Sequence, residues 1–92
     1  MKELNSIQYH IIKSLTFAEP FETLSEEIKA TEPVIVAELR SLIDMRAVQV
    51  MHDEKGSGKF SRSFYYDADN MRLFRYIATS KGQELHDLFA KK

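Results

Sequence analysis

Three groups of residues have types and spacings that could do chemistry. Gly56-Ser57-Gly58-Lys59 has the composition of half a phosphate-binding loop. The full pattern needs glycine five residues before Gly58 and a hydroxyl directly after Lys59, so that backbone amides and a metal-binding oxygen surround the phosphates. Asp53 and Phe60 stand at those positions, and a hairpin tip is the better reading. His10, His52 and His86 are far apart, with no partner four residues away on one helix face, so they read as surface or packing residues. Glu22, Glu26 and Glu27 could hold a cation or serve acid–base work, yet a solvated helix face explains them without a cleft. No catalytic residue, metal site or cofactor is expected, and the chain does not read as an enzyme.

The third group is cationic. Lys55, Lys59 and Arg62 surround the Gly-Ser-Gly tip, where a loop could set positive charge against phosphates or a minor groove; a solvated, charged loop is the alternative. Phe64, Tyr65, Tyr66, Phe74 and Tyr76 could stack on unpaired bases or pack a sheet against helices.

A chain of 92 residues makes a single domain, 1–92, which buries only about 60 to 65% of its unfolded surface. Hydrophobic residues at 43% and charged residues at 29% fit a folded globular chain. Cysteine is absent, which rules out disulfides and thiolate metal ligands and fits a reducing cytoplasm. No apolar run reaches the roughly 20 residues of a membrane span, and Met1 to Asn5 lacks a signal-peptide layout. The net charge of −1 conceals a split: residues 19–44 hold seven carboxylates against Lys29 and Arg40, whereas residues 45–92 hold nine cations against six carboxylates.

Ile7, Ile11, Ile12 and Leu15 mark one face of a first helix, capped at Asn5 or Ser6 and ending near Thr16. Glu19-Pro20 suits a helix start, and a second helix is expected from Phe21 to Lys29 with Leu24 and Ile28 inward. Ala30 to Pro33 forms a turn with Thr31 as N-cap, and a third helix runs to about Met45 on Ile35, Leu39 and Leu42. Ala47 to His52 and Phe60 to Tyr66 read as strands; Met71 to Ala78 fits a returning strand, although Met71, Phe74 and Ile77 also fit a helix. Thr79 or Ser80 caps a final helix through about Phe89, with Leu85, Leu88 and Phe89 on its apolar side; Ser80-Lys81-Gly82-Gln83 has capping-box form.

In this order the chain resembles the bacterial winged-helix transcriptional regulators grouped as MarR, PadR and HxlR. Phe21-Glu22-Thr23-Leu24 is similar to the start of their second helix, and Leu39-Arg40-Ser41-Leu42-Ile43-Asp44-Met45-Arg46-Ala47-Val48 to the end of their recognition helix. Tyr76-Ile77-Ala78-Thr79-Ser80-Lys81-Gly82 resembles the Tyr-x-Leu-Thr-x-x-Gly segment that closes their wing. The resemblance implies an α+β winged helix-turn-helix: three helices, a two- or three-stranded antiparallel wing sheet, and a C-terminal helix. It also implies double-stranded DNA binding in transcriptional control, and a C-terminal helix that can pair two copies into a homodimer.

The chain departs from that pattern in three places. Arg46 replaces the usual glycine at the helix C-cap, at a cost of about 1 kcal/mol if a left-handed backbone is kept. Residues 54–70 make a long wing that could add a strand. The outward face of the third helix should show Glu32, Pro33, Val34, Val36, Ala37 and Arg40, of which Arg40 alone matches base edges well, and Glu32 and Glu38 would oppose phosphates. Two functions follow. In the first, Pro33, Val34, Ala37 and Arg40 meet base edges and Lys55, Lys59 and Arg62 meet phosphates; in the alternative, Val34, Val36 and Ala37 dock a protein partner without DNA.

Overall fold

Asn5 starts the first helix. Its extended backbone precedes α1 (Ser6–Ser14), its side-chain oxygen accepts from the Gln8 N–H at 2.8 Å, and Gln8 Oε1 accepts from the Asn5 N–H at 3.1 Å. This reciprocal cap satisfies amides that a helix start otherwise leaves without partners. The computed structural model describes residues 4–53, 60–63, 71 and 74–91. After α1 come β1 (Glu19–Pro20), α2 (Phe21–Glu27), α3 (Glu32–Asp44), β2 (Val48–Asp53), β3 (Phe60–Ser63), β4 (Arg75–Ala78) and α4 (Ser80–Ala90).

The molecule is an α+β fold in which the helices cover one face of an antiparallel sheet. β2 is the central strand: it pairs with β3 through Met51 opposite Arg62, and with β4 through Val50 opposite Tyr76. The two residues of β1 add to the free edge of β4, giving the order β1-β4-β2-β3. Val48, Val50 and Tyr76 point into the core with Ile11, Ile12, Leu15, Phe21, Leu24, Ile35, Leu39 and Leu42, while Gln49, Met51 and Ile77 alternate to the other face. Tyr76 is fully buried, and its hydroxyl donates to the Met71 carbonyl at 2.6 Å, so burial leaves neither polar atom alone.

Several expected boundaries shift for identifiable reasons. β1 escapes a period-two search because two residues, one of them proline, carry no alternation. α2 stops at Glu27 rather than Lys29, since Ile28 turns to an extended backbone (φ −104°, ψ 122°) and enters the core. β4 is shorter than 71–78: the Phe74 N–H donates to the Met71 carbonyl rather than to a neighbouring strand, and pairing begins at Arg75. Of the strand expected over 60–66, Phe60–Ser63 is β3 and residues 64–66 lie outside the described part.

At the last helix Thr79 is the cap, accepting from the Gly82 N–H at 3.1 Å, and the expected box beginning at Ser80 does not form because Ser80 is already helical. Leu85 is buried and Phe89 partly so, whereas Leu88 turns outward at 47% exposure. α4 lies along α1, where the Tyr9 ring stacks on His86 (centroids 4.7 Å, planes 9° apart) and on Phe89 (4.7 Å, 27°). Among the described residues no helix is long and apolar enough to cross a membrane.

Candidate nucleic-acid interface

α3 buries Ile35, Leu39 and Leu42, and their i, i+4, i+7 spacing decides what the opposite side presents. At 100° per residue, Pro33, Ala37, Arg40 and Asp44 fall within an arc of about 60° directly away from the core. Pro33, Ala37, Arg40 and Asp44 are all exposed, and Val34, on one shoulder of this crest, is 39% exposed. The crest is low and smooth along Pro33 and Ala37, and a long guanidinium rises from its C-terminal half. Arg40 takes no ion partner among the described residues.

Glu38 does not face the crest. Its carboxylate accepts from the Asn5 side-chain amide, and one turn on, Gln8 Nε2 donates to Ser41 Oγ at 3.5 Å, so this flank of α3 is laced to the N-terminus of α1. The expectation that Glu38 would oppose phosphates is therefore corrected: a partner on α1 draws it sideways. Glu32 does stay exposed, at the first turn, where a carboxylate complements the helix dipole.

Val36 requires a second correction. It is only half-exposed and packs against the core cluster, lying roughly 160° around the helix from Val34. Val34, Val36 and Ala37 thus do not form one continuous apolar patch.

The C-terminal end of α3 is tied down by a joint that pattern reading registered only as a motif. Arg46 holds φ 63°, the left-handed turn that its place after the helix demands, and this aims the following carbonyls at α4. Thr79 Oγ1 donates to the Arg46 carbonyl at 2.7 Å, and the Thr79 N–H donates to the Ala47 carbonyl at 3.0 Å. Gly82 lies so close that a Cβ there would sit 2.2 Å from the Ala47 carbonyl oxygen. Thr79 and Gly82 are spaced by three residues because one caps the helix end and the other lets that end touch the α3–β2 turn.

Of the other candidate residues, Lys55 and Lys59 lie outside the described part, and Arg62 is a β3 position whose register partner is Met51. Tyr76 belongs to the core and Phe74 is half-buried, which removes Tyr76 as a stacking platform; residues 64–66 lie outside the described part. Comparison with family models, with curated proteins and with solved structures gives no match.

Proposed function

We propose that the chain is a cytoplasmic winged-helix protein that binds double-stranded DNA in transcriptional control, with α3 in the major groove. Chain order supports the reading: two helices joined by the four residues 28–31, then antiparallel strands, is the layout of a helix-turn-helix followed by a wing. The observation that carries it is the crest of α3. Pro33, Val34 and Ala37 allow close approach and contact with thymine methyl groups, Arg40 supplies a guanidinium suited to guanine, and Glu38, one of the two acids expected to oppose the groove, is held against Asn5. The β2–β3 hairpin would bring Lys55, Lys59 and Arg62 to phosphates. The outward Leu88 of α4 is the side chain through which a homodimer would form.

A second reading has one observation in its favour. The remaining charges along the exposed side of α3 are Glu32 and Asp44, which suit a protein surface better than a polyanion, and Val34 would then anchor a protein partner. Fluorescence anisotropy with a labelled mixed-sequence duplex separates the two. DNA binding should weaken steeply between about 50 and 200 mM salt, and Arg40→Ala should lower affinity without changing the melting temperature. Absence of binding at low salt, or binding without a salt slope, refutes the DNA reading.

A further inference from the structure

The sheet face turned away from the helices is not flat. Gln49 and Met51 of β2 and Ile77 of β4 line an open groove of about 660 Å³, which Arg46, Thr79 and Lys81 border where β2 begins and β4 ends. Its volume falls within the range of about 300 to 1,000 Å³ typical of small-molecule sites. Met51 and Ile77 give it a half-buried apolar floor. At that end both cations are exposed, and among the described residues neither has an ion partner and no carboxylate lines the groove.

Arg46 adds a second, independent observation. It occupies a left-handed backbone (φ 63°) that glycine adopts without strain, so an arginine side chain is present where the fold alone would favour its absence. Strain retained at one residue points to a task for its side chain, and here that side chain borders the groove.

We propose that this groove binds a small amphiphilic carboxylate, with its head group between Arg46 and Lys81 and its apolar body over Met51 and Ile77. The apolar floor beside two cations that take no ion partner among the described residues matches a ligand with one charged end and one hydrocarbon end. Neither a purely polar anion nor a neutral hydrocarbon uses both halves. The site is separate from the crest of α3, and the inference stands whether or not the chain binds DNA.

The test is a titration of the intact chain with monomeric decanoate, followed by amide chemical shifts and by calorimetry, with acetate and decanol as controls. Saturable binding is expected to move the Met51, Ile77 and Lys81 amides, with acetate and decanol both weaker. Arg46→Gly keeps the fold, because glycine is at ease at this φ, and Lys81→Gln changes an exposed position; each should lower decanoate affinity about two- to fivefold, and more so at low salt. Failure to saturate, equal affinity for decanol, or unchanged affinity in both variants would overturn the proposal. So would Met51 and Ile77 shifts that vary with protein concentration in the absence of ligand, which would assign the face to a second copy. Binding confined to anionic vesicles would assign it to a membrane surface instead.

Discussion

Replacing Gly82 with alanine should be among the most damaging single-methyl additions the chain can suffer. The new Cβ would lie 2.2 Å from the Ala47 carbonyl oxygen, 3.1 Å from the Ala47 carbonyl carbon and 3.2 Å from Ile12 Cδ1. The Ile12 methyl can yield, but the carbonyl cannot: the Ala47 N–H is bonded to the Leu42 carbonyl at 2.9 Å and its oxygen accepts from Thr79 at 3.0 Å. Relief requires α4 to retreat by about 1 Å, which stretches the Thr79 bonds to Ala47 and Arg46. Overpacking costs about 1–3 kcal/mol and the weakened hydrogen bonds about 1 kcal/mol more, while the better helix propensity of alanine returns up to about 1 kcal/mol. The net loss is about 1–4 kcal/mol, centred near 2. For a domain of this size a loss of about 2 kcal/mol lowers the melting temperature by roughly 8–16 °C, measured by circular dichroism at 222 nm. Lys81→Ala, one residue away and exposed, should shift it by less than about 3 °C. A Gly82→Ala protein that melts at or above the wild-type temperature refutes the close contact, and with it the joint between α3 and α4.

Other substitutions probe the same framework. Arg46→Gly should raise stability by up to about 1 kcal/mol, seen as a higher urea midpoint at unchanged m-value, since it relieves a φ of 63°; a lower midpoint would mean that the side chain contributes more than the backbone strain costs. Thr79→Val removes both the cap on Gly82 and the bond to Arg46, and should cost about 1–2 kcal/mol by the same measurement, with no loss contradicting the assigned cap. Tyr76→Phe leaves the Met71 carbonyl without its 2.6 Å donor and should cost about 1–2 kcal/mol, whereas a neutral result would place that carbonyl in contact with water.

What the residues announced and what they concealed follows a physical line. Ile35, Leu39 and Leu42 repeat at helical spacing because one stripe of α3 is sealed, so their burial and the exposure of Pro33, Ala37 and Arg40 were both legible. Val48 and Val50 alternate because β2 buries one face, so the strand was legible too. Glu38 was misplaced because its orientation depends on Asn5, a partner 33 residues away that no local pattern reveals. Val36 was misplaced because a helix shoulder is neither core nor crest, and periodicity alone does not say what packs beside it. The Asn5-x-x-Gln8 spacing of the first cap is legible in the sequence, since an amide three residues after an N-cap asparagine can close a reciprocal box. The groove on the outer sheet face was invisible, since Arg46, Met51, Ile77 and Lys81 meet only once β2 and β4 are paired.

Amide chemical-shift mapping with a mixed-sequence duplex of roughly 20 base pairs bears most directly on the role of α3. DNA at the crest should move the amides of Pro33's neighbours, Val34, Ala37 and Arg40, in a salt-dependent way, and leave Met51, Ile77 and Lys81 still. A spectrum in which the duplex moves the sheet face and spares α3, or moves nothing at low salt, would contradict the proposed function.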